Sequence, residues 1–315
     1  MVMIEWDWYS QLTEEQDQEL RQVLLAAEDY DMEQGFSVVD YQAVKADLKD
    51  QSDSNKLMLV YYLPSDQAER SQNNAERTLA AVLRAEIADD GSARIGYTVN
   101  PELRSLGITT LLVEETGLPG QPHNAWQEVG ITKISTWARG DHPAAERLTT
   151  RFGIPATQSI WRLFRELKDP VRELPEHDFN IAVVNTGADE IGQYEGAVES
   201  TPRPATGLAL DVTRSDRRVL LAKDSSDNIA GAASFDLKTT FDLTIGRWAD
   251  IEYASTCPDA EERLIMWLLG AVIEEAQEQP MDSLVLHLEP EDEDLVQAVR
   301  LHGFVHDRTD VAYSI

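Results

Sequence analysis

The sequence predicts a mixed-sheet α/β fold built twice in tandem, and three observations carry that expectation. Strand-like and helix-like stretches alternate along the chain, which calls for helices packed on a central sheet. The 315 residues exceed the usual size of one domain, and 42% of them are hydrophobic, enough for two cores. An internal repeat supports the doubling: Trp137 and Gly153 stand 150 positions before His287 and Gly303, and each pair brackets a strand end, an acidic turn and a helix.

The chain opens on aromatic residues, Trp6 to Tyr9, followed by a capping-box pattern, Thr13-Glu-Glu-Gln16. Leu20, Val23, Leu24 and Ala27 then recur at helical spacing, so residues 13–29 read as an amphipathic helix and residues 41–48 as a shorter one. Lys56 to Leu63 is apolar and rich in strand formers; Thr78 to Ile87 reads as a strand, although its alanines also permit a helix. The polar stretch from Ser65 to Arg77 between them reads as a mobile hairpin loop. Ala93 to Val99 and Ile131 to Ala138 are further strands, with helices starting at Thr109 and spanning Pro143 to Phe152, the latter ended by Gly153. Two prolines among charges, Pro170 and Pro175, mark the junction. The expected domains are 1–168 and 181–315, joined by a linker at 169–180. In the second half, strands are expected at 219–223, 229–237, 248–255 and 284–288, with helices at 264–273 and 295–301.

Charge narrows the partners. The chain carries 57 acidic and 27 basic residues, for a net charge of -30. Such a field repels nucleic acid and anionic membrane surfaces, and any phosphate site must rest on local N–H donors and a few cations. An acidic surface suits a salty cytoplasm, where screening removes most of the self-repulsion. Cys257 is the single cysteine, which excludes an intramolecular disulfide and fits a reducing cytosol. No apolar run approaches a membrane span, so the expectation is a soluble, cytoplasmic monomer. The six histidines show no metal-ligand spacing, and no metal is expected. The acids near Cys257 blunt its thiol as a nucleophile.

The stretch from Val99 to Leu112 passes from a strand end through Pro101 and Gly107 into an apolar helical pattern. A glycine turn at a helix N-terminus leaves backbone N–H groups free for phosphate oxygens, and Arg104 adds a cation beside it. The plainer reading of the same residues is an ordinary strand–turn–helix connection.

The pattern Val99-x-Pro101-x-x-Arg104-x-x-Gly107-Ile108-Thr109 resembles the acyl-CoA pyrophosphate loop of the GCN5-related N-acetyltransferases. There, Gln or Arg is followed after two residues by Gly, any residue, then Gly or Ala; Thr109 stands in place of the last. Two such domains imply a tandem acetyltransferase. Three segments resemble the mycothiol synthase family more narrowly: the Trp-containing start through Gln16, Trp137 to Ala145 with Leu163 to Leu167, and Arg172 to Glu176. The likeness runs through nearly the whole chain and is densest in the first half and the junction.

The resemblance implies transfer of acetyl from acetyl-CoA to the cysteinyl amine of cysteinyl-glucosaminyl-inositol. By motif position, Tyr97, Thr98 and Val99 would meet the pantetheine arm, and Arg104, Ser105, Leu106, Gly107, Ile108, Thr109 and Thr110 the pyrophosphate. In the second half the matching loop, Cys257 to Trp267, lacks glycine and places Asp259, Glu261 and Glu262 where a diphosphate would sit. The resemblance further implies Asp250 as a substrate-contacting carboxylate and candidate base, and Lys238 and Asp40 as substrate contacts. Asp250 also reads as a surface carboxylate at a strand end, and Asp40 as a helix cap. The tyrosine that the family carries on its last helix is replaced by Val299. Two alternatives stay open: a non-catalytic acetyl-CoA-binding protein, and an acetyltransferase of another small amine.

Overall fold

The computed structural model describes residues 3–32, 39–50, 54–63, 77–140, 142–184, 217–257 and 260–315. The predicted loop at 65–77 falls outside these but for Arg77, as do Pro258 and Asp259. The chain forms two compact units: Met1–Gln158 with Asp310–Ile315, and Ser159–Thr309. The junction expected at 169–180 is therefore not where the contacts divide; the C-terminal residues return to the first unit.

The first unit contains β1 (Met3–Tyr9), α1 (Glu14–Met32), α2 (Tyr41–Asp50), β2 (Asn55–Leu63), β3 (Thr78–Ile87), β4 (Ser92–Val99), α3 (Ile108–Thr116), β5 (Lys133–Ala138) and α4 (Pro143–Phe152). Strands β1 to β4 pair antiparallel in order, and β5 runs parallel to β4. The C-terminal strand, β13 (Val305–Ser314), completes this sheet by pairing Val311–Ser314 antiparallel with β5. The second unit contains β6 (Ala156–Glu166), β7 (Asn180–Val184), β8 (Arg217–Lys223), β9 (Ile229–Asp236), β10 (Thr240–Asp242), β11 (Gly246–Thr256), α5 (Leu264–Gln277), β12 (Ser283–Leu288) and α6 (Glu293–Leu301). Its sheet repeats the plan, with β7, β8, β9 and β11 antiparallel in order, β12 parallel to β11, and β6 antiparallel to β12.

Local chemistry explains the elements. The predicted capping box closes at α1, where Thr13 N–H donates to Gln16 Oε1 at 2.9 Å and Gln16 N–H to Thr13 Oγ1 at 3.2 Å. His142 and Asp292 cap α4 and α6 with their side chains. On β2 both faces are buried. Leu57, Leu59 and Tyr61 pack under Leu20, Val23 and Leu24 of α1 and Val44 of α2, while Met58 and Val60 face Ile108 and Leu112 of α3. In the second unit, Leu264, Leu268 and Val272 of α5 and Val299 of α6 bury against Phe235, Ile251, Leu284 and Leu286. Val299, at the position of the family tyrosine, is thus a core residue, 1% exposed.

Candidate cofactor loop and acid–base face

Strands β3 and β4 stay paired to Ala81↔Val99, whereas the β4–β5 ladder stops at Ile95↔Thr136. Ala93 and Ile95 turn their carbonyls toward β5, where Ser135 and Thr136 hydroxyls donate to them. Alternation then puts the backbone groups of Tyr97 and Val99 on the side that β5 has left. Thr98 faces the other way and its buried hydroxyl accepts from Val39 N–H at 2.9 Å. This ties the start of α2 to β4.

Beyond Val99 the chain is tightly specified. Asn100 is buried, donates to Leu79 O and accepts from Glu102 N–H, starting the 3₁₀ turn Pro101–Leu103. Ser105 and Gly107 both have positive φ, +67° and +79°. A Cβ on Gly107 would meet no atom within 4 Å, so glycine is there for its backbone conformation and not for space. No side chain caps α3, and its first turn carries no carboxylate. The early N–H groups of that turn have no carbonyl one turn back, which leaves them for an anion. Ser105, Leu106 and Gly107 are exposed, and Thr109 and Thr110 half-buried, around this end. The Tyr97 hydroxyl is buried beside Thr109 with no well-formed hydrogen bond, and burial pushes its phenol well above the usual range.

One expectation fails in this loop. Arg104 is not a free cation for phosphate. Its guanidinium grips Asp31 bidentately at 2.7 and 2.8 Å, its Nε donates to Val99 O, and it stacks 4.9 Å from the Tyr30 ring. The Asp31 side chain is only 8% exposed, so the pairing wins over solvent for both partners. Asp40 is also committed: its Oδ1 accepts from Ala43 N–H at 2.6 Å, capping α2.

In the second unit, β11 and β12 repeat the split, their ladder ending at Ile251↔Leu286. A bulge lies between Ile251 and Tyr253, and at it Glu252 forms a buried ion pair with Arg217. The turn before α5 differs from that before α3. Leu264 N–H bonds to Glu261 O at 2.8 Å and Met266 N–H to Arg263 O at 3.0 Å, so donors near this helix start are already used, and Glu261 and Glu262 stand exposed before it. Cys257 points its thiol at Ile229 O.

The face of this sheet that carries Asp250 is polar. Asp250 Oδ1 is buried, has no well-formed hydrogen bond, and lies 3.5 Å from Nδ1 of His287 on β12. Across the next strand pair, His287 faces Arg162, which pairs with Asp307 and sits 5.1 Å over the Trp248 ring. Lys238 is exposed in the turn after β9 and is not among these groups; its N–H donates to Asp236. Sequence reasoning missed His287 as the neighbour of Asp250 and Arg162 as the neighbour of His287; the β11–β12 and β12–β6 registers bring them together.

Two solved structures share this arrangement along almost their whole length. A GCN5-related N-acetyltransferase from Sphaerobacter thermophilus aligns over 98% of this chain and 95% of its own, with a TM-score of 0.61 at 16% identity. A tandem GNAT protein from the clavulanic acid biosynthesis pathway aligns over 99% and 98%, with a TM-score of 0.59 at 12% identity. The chain carries the tandem GCN5-related N-acetyltransferase fold. In sequence, the chain is similar to proteins named mycothiol acetyltransferase. The one from Saccharopolyspora erythraea is 31% identical over 175 residues, a match that spans 54% of that relative and half of this chain. Those from Paenarthrobacter aurescens and Stackebrandtia nassauensis are 23% and 24% identical over 82% and 80% of their lengths. No family model matches the chain. Among the described residues, no helix is long and apolar enough to cross a membrane, and no group of three His, Cys, Asp or Glu is arranged to hold a metal ion.

Proposed function

We propose that the protein is an acetyl-CoA-dependent N-acetyltransferase acting on the cysteinyl amine of cysteinyl-glucosaminyl-inositol, which yields mycothiol. The observation that carries this reading is the split of β4 from β5 after Ile95, running into an uncapped helix start at Gly107. The residues there suit the cofactor: backbone groups of Tyr97 and the N–H of Val99 suit an amide-bearing arm, the Val99 carbonyl being taken by Arg104, and the N–H groups of residues 105–110 suit a diphosphate. With Arg104 held by Asp31, the diphosphate charge would rest on backbone donors and the α3 dipole, which need no reorganisation on binding. Thr98 and Arg104 then act as struts that fix the loop. When bound, acetyl-CoA supplies an activated acyl carbonyl.

An amine acceptor must lose a proton before its nitrogen can bond to carbon. Asp250 is the carboxylate we assign to that task. It is half-exposed at the split of β11 from β12, with one oxygen buried. Lys238 and Asp40 remain proposed contacts for the acceptor, the latter only through the capped end of α2. The exposed Glu261 and Glu262, with Val299 in the core, favour a second reading in which the chain binds acetyl-CoA without catalysing transfer. The purified protein mixed with acetyl-CoA and cysteinyl-glucosaminyl-inositol decides between them, with the acetylated product read by mass spectrometry. Product formation is the expected result; binding of acetyl-CoA with no product from this or other small amines leaves the second reading.

A further inference from the structure

The ladder registers let the two units be compared position by position. Both parallel ladders run for the same length, Ser92–Ile95 on Lys133–Thr136 and Trp248–Ile251 on Ser283–Leu286. Arg94 therefore corresponds to Asp250, and Trp137, one residue past the ladder, to His287. In the first unit these positions hold an exposed arginine paired with Glu86 and a tryptophan beside Arg139. The fold does not need a carboxylate and an imidazole there. The second unit nevertheless sets them face to face, with the carboxylate oxygen nearer the imidazole buried and unsatisfied. A buried carboxylate oxygen without a donor is unfavourable unless something completes it, and His287 Nδ1 at 3.5 Å is within reach of a small side-chain adjustment. Arg162, the cation on the other side of His287, is neutralised by Asp307, which leaves Asp250 as the acid facing the imidazole.

We infer that His287 is the positioning partner of Asp250. Its Nδ1–H holds one carboxylate oxygen, so that the more exposed oxygen is presented to the ammonium group of the acceptor. This rests on the amine-acetylation reading above. The proton moves from the ammonium nitrogen to the free Asp250 oxygen, the N–H electron pair stays on nitrogen, and the carboxylic acid then returns the proton to water. His287 touches no reacting atom; it fixes the direction of the oxygen that does.

The pairing is tested first without turnover, by NMR of the imidazole nitrogens of the full chain across pH. The expected result is a His287 ring protonated at Nδ1 in the neutral form, with that tautomer preference lost in Asp250→Asn. An unchanged tautomer in Asp250→Asn overturns the pairing, whatever the enzyme does with any substrate. Adding cysteinyl-glucosaminyl-inositol alone should shift the His287 resonances in the wild type and not in Asp250→Asn; no shift in either overturns the role toward the amine. Kinetics give the second arm. His287→Asn keeps an N–H donor near the Nδ1 position and should hold kcat/KM within about threefold of wild type, while His287→Ala should lose tenfold or more at a similar Tm. Equal loss in both variants, or loss in neither, overturns positioning. If the wild type makes no product while the NMR signature holds, the assigned reaction fails and the Asp250–His287 pair stands.

Discussion

The described residues that lead into α3 and into α5, each helix following a strand that has parted from its parallel neighbour, differ in chemistry. The first has positive φ at Ser105 and Gly107, no capping side chain, no acid in the helix's first turn, and its one cation turned away to Asp31. The second has its early N–H groups bonded to Glu261 and Arg263 carbonyls and two exposed glutamates in front. At the ladder positions the contrast reverses: the first unit has Arg94 and Trp137, the second Asp250 and His287. The uncapped helix start and the facing carboxylate and imidazole thus stand in different units.

The contrast can be broken most severely at Gly107. Gly107→Asp puts a side chain at φ +79° and a carboxylate at the helix start, and acetyl-CoA affinity by calorimetry should fall a hundredfold or more, about 3 kcal/mol. Glu262→Gly in the other loop should leave affinity within about twofold; the reverse outcome would move the cofactor to the second unit. The ladder positions are distinguished by rate. Asp250→Asn should lower kcat by about a hundredfold with Tm nearly unchanged, whereas Arg94→Ala should change neither by much.

Smaller effects separate strut from ligand. Asp31→Ala leaves Arg104 unpaired and should cost about 2 kcal/mol in urea unfolding, with weakened acetyl-CoA binding only through loosening of the loop. Asp40→Ala removes a cap worth about 1 kcal/mol; if Asp40 also contacts the acceptor, KM for the amine will rise as well, and if it only caps α2, KM will hold.

The smallest effect is a pH dependence lodged in the second unit. His302 is 3% exposed, with Nε2 2.8 Å from Met266 O, and burial together with the Arg165 and Arg172 charges holds its pKa below the ordinary 6.5. The folded state keeps it neutral, so below about pH 6.5 the unfolded state binds the extra proton and stability falls as pH falls. Stability measured from pH 7 to about pH 5 should decline more in wild type than in His302→Gln.

Periodicity and caps made most elements legible. The α1 capping box, the strands flanking Gly107 and the α4 stop at Gly153 follow from neighbours within four residues. The missed strands β6 and β13 carry Arg162, Arg165, Asp307 and Asp310 inside their runs, which read as polar until their partners are known. Arg162 meets Asp307 145 positions away, and the fully buried Asp310 accepts from Arg139 and Gly140 some 170 positions away.

The sequence by itself determined where a glycine must break the chain before a helix, because backbone conformation and orphan N–H groups are local properties. It also determined the strong negative charge and the loss of glycine from the second loop. Only the tertiary structure decided that Arg104 belongs to Asp31, that the C-terminal strand completes the first sheet, and that Asp250 faces His287. Each of these depends on which distant segments lie side by side, and such pairings are fixed by the packing of whole sheets and helices, not by the residues next to them in sequence.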